Sequence, residues 1–341
     1  MRVTIKDVAK AAGVSPATVS FIINNKPVSI STATREKVLK AIDELHYRPN
    51  QLAVSLVTNT SNTIGLILPD STNPFFASLS HCIEELLRKH NIAVIVGNTN
   101  SDPDITRQYL QLFSDKRVDG IILAQLDFED EQETIACQNI IRHLDIPTVY
   151  VDRVANSVGQ HSIVEVDQRQ IGYLATRHLL NLGHRRIGCA SGSIHLTVNQ
   201  QRYEGYKKAL IEYGLTPDPD LLFCDSLSTN CGSKALPCLL GHNVSAIFAF
   251  NDMVAYGIYK ACRNYNISIP DDISIVGVDD ISFSEIINPP LTTIAQPIEE
   301  IASHAVEAIK ILINGDKPEH NYICLHPLLK VRASTTSYKN L

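Results

Sequence analysis

A chain of 341 residues exceeds one ordinary hydrophobic core, so two or three domains are expected. Its formal net charge of −6, and the lack of any apolar run near the roughly 18 residues of a membrane span, exclude a polycation and a transmembrane helix. The eight cysteines, at 82, 137, 189, 224, 231, 238, 262 and 324, form no C-x-x-C pair and no zinc spacing. They read as reduced thiols and argue against a secreted disulfide scaffold.

The charge is uneven. Residues 1–60 hold eight Lys/Arg against four Asp/Glu, which leaves twenty-two against thirty-two for the rest. A basic N-terminal module on an acidic body implies a polyanionic partner for the small part only. The first residues show no basic stretch followed by an apolar run, so no signal peptide is expected and a cytoplasmic location is.

Taken in chain order, Thr4 can cap a helix over "IKDVAKAA", with Ile5, Val8 and Ala9 on one face. Gly13 suits a left-handed helix exit. Ser15 can cap a second helix, "PATVSFIIN", with Pro16 in its first turn, where no N–H is missed. Val14, Val19 and Ile22 or Ile23 would pack back on the first helix. Two short helices joined by a glycine-containing turn make a helix-turn-helix, whose second helix enters the major groove N-terminus first. A third helix spans about 32–46, with Val38, Leu39, Ile42 and Leu45 as its apolar stripe. Pro49 starts a short fourth helix that ends near Thr58, followed by a polar linker.

The stretch from Val3 to Ala53, with D-V-A-x-x-A-G-V-S-x-x-T-V-S, T-R-E-K-V and Y-x-P-N, resembles the DNA-binding headpiece of the lac/gal repressor family. The resemblance implies that Thr4, Ser15, Pro16, Ala17, Thr18, Ser20, Phe21, Asn24, Asn25, Asn50 and Leu56 form the DNA-contacting set. Leu56 matches the leucine that such dimers wedge between central base pairs from the minor groove. Phe21 and Val54 stand where many members carry Arg, so the bases read are expected to differ. Phe21 is expected to face the groove and touch a thymine methyl; the alternative is that it fills the core.

From residue 62 strands and helices alternate. "TIGLILP", "IAVIVGN", "VDGIILA" and "IPTVYVD" read as one set of buried strands. "SIVEVD", "RRIGCAS", "LLFCD", "AIFAF" and "ISIVGVD" read as a second. Continuous Val/Ile-rich runs between helices mean parallel sheets covered on both faces, here two doubly wound subdomains. Ligands bind beyond the C-terminal ends of such strands. There the sequence places Asp70 to Phe76, Asp152 and Arg153, Asn251 and Asp252, and Asp279 and Asp280, with Arg202 early on a helix. Acids, Arg and an aromatic pair suit a sugar or nucleoside. Asp252 and Asp280 read as helix caps.

The stretches "NPFF", "GHRRIGCASG", "QRYEGYKKAL", "FAFND", "PDDISIVGVDD" and "PPLTTIAQP" are similar to the effector domain of the same family, itself similar to periplasmic sugar-binding proteins. The resemblance implies that Phe75 and Phe76 wall the pocket, that Arg202, Asn251 and Asp279 are polar anchors, and that Gln296 lies on a crossover near it. Asp152 joins this set from its place at a strand end. The effector is expected to be a sugar, sugar phosphate or nucleoside. No cofactor and no metal are expected.

The expected organisation is a small all-α headpiece (1–48), a hinge helix and linker (49–61), and an α/β effector and dimerisation domain (62–341) of two parallel-sheet subdomains. The N-terminal subdomain would hold about 62–160 and 293–322, the C-terminal one about 161–292 and 323–341. No phosphate loop, H-E-x-x-H or G-x-S-x-G occurs, so no catalytic set is expected. The expected partners are a two-fold operator DNA, the effector and a second copy of the chain. The final "LLKVRASTTSYKNL" has no heptad repeat, so a homodimer is expected rather than a tetramer.

Overall fold

The computed structural model describes residues 3–23, 27–48, 60–154 and 162–338. The chain divides into two compact units, Met1–Ser61 and Asn62–Leu341.

The first unit contains α1 (Ile5–Ala12), α2 (Pro16–Ile23) and α3 (Thr32–Glu44). At the start of α1 the Thr4 N–H and hydroxyl both donate to the Asp7 carboxylate, at 2.8 and 2.7 Å. The acid thus reaches back to an amide that the helix leaves unmatched, and these bonds hold the Asp7 carboxyl below its ordinary range. Gly13, at φ 66°, ends the helix. The N–H groups of Gly13 and Val14 return to the Lys10 and Ala9 carbonyls. The Ser15 hydroxyl accepts the Thr18 N–H at 3.1 Å and so caps α2; Ser31 does the same for α3 through Thr34. Val8 and Ala9, Val19 and Ile22, and Val38 and Ala41 meet in one core, two from each helix. The predicted hinge helix, with Asn50, Val54 and Leu56, lies outside the described residues, as do Asn24 and Asn25.

The second unit runs β1 (Thr63–Leu68), α4 (Pro74–Arg88), β2 (Ala93–Asn98), α5 (Pro103–Lys116), β3 (Gly120–Leu126), α6 (Glu131–Leu144), β4 (Thr148–Val154) and β5 (Ser162–Val166). It continues with α7 (Gln168–Asn181), β6 (Ile187–Ser191), α8 (Thr197–Glu212), β7 (Leu222–Cys224), α9 (Thr229–Leu240), β8 (Ala246–Ala249), α10 (Asp252–Tyr265) and β9 (Ser274–Asp279). Last come α11 (Phe283–Ile286), β10 (Thr292–Ala295), α12 (Ile298–Ile313), β11 (Tyr322–Leu325) and β12 (Leu328–Lys330).

The strands form two six-stranded sheets, β11-β5-β4-β3-β1-β2 and β12-β10-β9-β8-β6-β7. The first is parallel throughout; the second carries one antiparallel edge, β12 on β10. In both, the strand order reverses at the first strand, which opens a crevice at the C-terminal strand ends.

The subdomain boundaries differ from those expected. β5 belongs to the first sheet, with Tyr150 opposite Ile163, and not to the second set. β10 belongs to the second sheet, with Thr293 opposite Gly277, although the N-terminal subdomain was expected to resume at 293. β11, expected to fall mostly in the C-terminal subdomain, pairs with β5 in the first sheet. The chain therefore crosses after Val166, after Ala295 and after Leu325. A strand is placed by the neighbours it hydrogen-bonds, and an apolar run looks the same in either sheet. β10, β11 and β12 are only three or four residues long, too short to show a pattern.

Candidate effector cleft and nucleic-acid interface

On the headpiece, α2 buries Val19 and Ile22 and leaves its leading end outward, with Ser15, Pro16 and Ala17 exposed. Thr18, Ser20 and Phe21 are half-buried. Phe21 is not among the described side chains packed on the headpiece core, whereas its neighbours Ile22 and Ile23 are. The hydroxyls of Ser15 and Thr18 lie 2.9 Å apart at the helix start. Thr4 is exposed but hydrogen-bonded to Asp7. The presented surface is thus small side chains and hydroxyls at a helix N-terminus, with one aromatic almost two turns further on.

The cleft is built at the C-terminal strand ends. After β1, Asp70 takes the N–H and hydroxyl of Thr72, and Asn73 caps α4 by accepting the Phe75 N–H at 3.0 Å. This turn seats Phe75 and Phe76 in the core, edge to face with ring centroids 5.0 Å apart. Asp152 at the end of β4 and Asp279 at the end of β9 are both buried, with φ of 61° and 113°. Asp280 follows at 57°. Left-handed backbone at non-glycine residues costs energy and gathers where function holds it in place.

Arg202 reaches in from α8. Its Nε donates to Gln168 Oε1 at 2.8 Å, and a second nitrogen donates to the Phe250 carbonyl. On the crossover after β10, Gln296 Nε2 donates to Asp279 Oδ1 at 2.7 Å. Asn251, expected as a polar anchor, serves as a helix cap in the structure. Its Oδ1 accepts the Val254 N–H at 2.8 Å, capping α10, and its amide donates to the Leu227 carbonyl. Asp252 is therefore not the cap. It is fully buried and accepts from the Ile281 N–H, the Ser284 hydroxyl and the Thr293 hydroxyl, at 3.1, 2.6 and 2.6 Å. Burial, and then the nearby Asp279, push its carboxyl up to about 8. Asp280 is not a cap either; it pairs with Arg332 at 2.6 Å. The Arg153 side chain lies outside what is described.

Several cleft residues were not foreseen. Gln168 Nε2, Ser191 Oγ and Asn199 Oδ1, like Oε1 of the expected Gln296, are buried polar atoms with no hydrogen-bond partner among the described residues. Buried polar groups are rarely left so. Asn199 also lines a small cavity of ≈ 10 Å³, room for about one water, together with Gln125, Asp127, Leu196, Val198 and Leu227. Gln168 starts the helix after a crossover that was placed one strand too early, which hid it. Asn199 sits three residues before Arg202, one turn back on the same helix face, and that spacing could have shown it. Among the described residues no three His, Cys, Asp or Glu side chains could hold a metal ion, and no helix is long and apolar enough to cross a membrane.

A helix-turn-helix unit followed by two doubly wound subdomains with a polar cleft between them defines a ligand-binding, DNA-binding regulator. Residues 4–50 match the family described as bacterial regulatory proteins, lacI family, and residues 61–330 match the periplasmic binding proteins and sugar binding domain of that family. The chain belongs to the lacI family. It is 35% identical over 333 residues to the HTH-type transcriptional repressor PurR of Aliivibrio salmonicida, covering 97% of this chain and 98% of that one. It is 37% identical over 337 residues to the HTH-type transcriptional regulator DegA of Bacillus subtilis, covering 98% and 99%. The lac repressor dimer bound to operator and the anti-inducer ONPF superposes with a TM-score of 0.87, at 26% identity, over 98% of this chain and all of that one. The protein is thus a DNA-binding transcriptional regulator with an effector domain, and not an enzyme.

Proposed function

We propose that the protein is a cytoplasmic repressor whose operator affinity is set by a neutral, polyhydroxylated effector held between the two subdomains. The unmatched buried atoms carry this reading. Asn199 Oδ1 and Gln296 Oε1 need donors, and Gln168 Nε2 needs an acceptor. A hydroxyl supplies both; a phosphate dianion supplies only acceptors. Among the described residues at the strand ends, the buried acids Asp127, Asp152 and Asp279 outnumber the buried Arg202, which further disfavours a sugar phosphate. Phe75 and Phe76 supply the apolar wall.

A thermal-shift screen of pentoses, hexoses, nucleosides and sugar phosphates tests this, because a native-state ligand raises the melting temperature. A neutral sugar is expected to stabilise wild type. Arg202→Ala and Asp279→Ala should lose about 1–3 kcal/mol of its binding and keep operator binding. Stabilisation by sugar phosphates alone would overturn the charge argument.

On the DNA side, α2 reads each half-site through Ser15, Thr18 and Ser20 with Phe21 on a thymine methyl, and a dimer matches a two-fold operator. Asn24, Asn25, Asn50 and Leu56 join this reading through the family resemblance. Replacing the contacted thymine with uracil should weaken wild-type binding by about 1 kcal/mol and leave Phe21→Ala unaffected. Equal binding of every uracil-substituted operator would show that the readout lies elsewhere.

A further inference from the structure

The α8 helix carries Arg202 and Asn199 into the cleft, yet its start is incomplete by itself. Its N-cap residue is Leu196, whose side chain offers no acceptor to the first turn. A helix start exposes unmatched N–H groups and a partial positive charge, and a side-chain oxygen there is normally supplied by the residue just before the helix. Here it comes from the other subdomain. Asp127, just beyond β3 in the first sheet, accepts the Thr197 N–H on its Oδ2 at 2.5 Å. Asp127 is 7% exposed, so this contact is shielded from solvent.

The acid is itself held. Gln125 Nε2 donates to the Asp127 carbonyl at 3.0 Å, and Ser101 donates to Gln125 Oε1 at 2.9 Å. Both Asp127 and Gln125 line the small cavity next to Asn199, whose Nδ2 donates to the Ser193 carbonyl at 2.8 Å. A three-residue chain of hydrogen bonds from the first subdomain therefore ends on the helix that bears the second subdomain's anchors.

We infer that Asp127 is a positioning residue: it caps α8 across the subdomain boundary, and the closed cleft is the state in which that helix is fully capped. Opening the cleft removes the cap, and removing the cap favours opening. The consequence for regulation rests on the cleft being the effector site; the contact itself can be tested with no effector present.

Hydrogen exchange on the full-length chain is the test. In Asp127→Ala, the amides of Thr197 to Asn199 should exchange on the order of tenfold faster, as expected for a lost cap. Amides in the middle of α4 should stay within twofold of wild type. Small-angle scattering should show a larger radius of gyration. Asp127→Asn, which keeps an acceptor oxygen, should fall between the two and guards against a misfolded alanine variant. Leu196→Asp, added to Asp127→Ala, supplies a cap from within the helix. It should restore slow exchange at Thr197 to Asn199 without restoring the compact radius, an outcome that a merely local stabilising role would not give. Unchanged exchange at these amides in Asp127→Ala, or an unchanged radius, would overturn the inference.

Discussion

His184 shows how one side chain can tie distant sequence together. It is 2% exposed and touches the Thr336 carbonyl through Nε2 at 3.0 Å and the Ser245 hydroxyl through Nδ1 at 2.9 Å. A carbonyl only accepts, so Nε2 carries the proton, and in the neutral ring Nδ1 accepts from Ser245. Burial lowers the pKa of His184, assisted by Arg185 and opposed by the Thr336 bond. Burial likewise lowers that of His178, which meets Thr335 at 2.9 Å. The unfolded chain therefore binds protons that the folded chain resists. The stability from these two neutral rings is full above the ordinary value of 6.5 and is lost as pH falls through their depressed folded values. Urea unfolding at pH 7.5 and 5.5 should show lower stability at 5.5. The double variant His178→Gln, His184→Gln should show a shallower pH slope than wild type.

Two helix pairs depend on glycine for close approach. A Cβ on Gly172 of α7 would lie 1.9 Å from the Arg202 carbonyl oxygen of α8, and one on Gly205 would lie 2.0 Å from that of Arg169. The α9–α10 pair repeats the device, with Gly232 and Gly257 against the Val254 and Thr229 carbonyls. Neither contact is with a side chain that can swing away, so the backbones themselves must part. Since Arg202 sits at the α7–α8 crossing, its reach into the cleft is set there. Gly172→Ala is expected to cost about 1–3 kcal/mol in urea unfolding, the range for overpacking. It should also weaken the thermal shift given by whichever sugar stabilises wild type. A neutral effect on both would mean that the crossing relaxes freely.

For the whole molecule, the described C-terminal segment is tied into the second sheet. β12 pairs antiparallel with β10, and Ser334 is fully buried, donating to the Ile275 carbonyl at 2.6 Å and accepting the Thr292 N–H at 2.7 Å. Light scattering at micromolar concentration is expected to give a dimer, the form in which the similar lac repressor binds operator. A stable tetramer would contradict this. Operator affinity should fall steeply with salt, because the basic headpiece releases counterions from phosphate.

The sequence by itself determined the helix-turn-helix, the two doubly wound sheets and the acids at the strand ends. Those features rest on local patterns: the Gly13 exit, the Ser15 cap, continuous apolar runs, and a polar residue straight after each run. Phe75, Phe76, Arg202, Asp279 and Gln296 stood out as candidates because each sits in such a pattern or in a family stretch. Only the tertiary structure decided where β5, β10 and β11 belong, because strand pairing is made between residues far apart in the chain. It also decided the division of labour between Asn251 and Asp252. The two are adjacent and both can cap; which one does depends on Ser284, Thr293 and Ile281 converging on Asp252 from other elements. Asp127 lies at the limit of what a sequence can show, since the helix it caps begins seventy residues later, in the other subdomain.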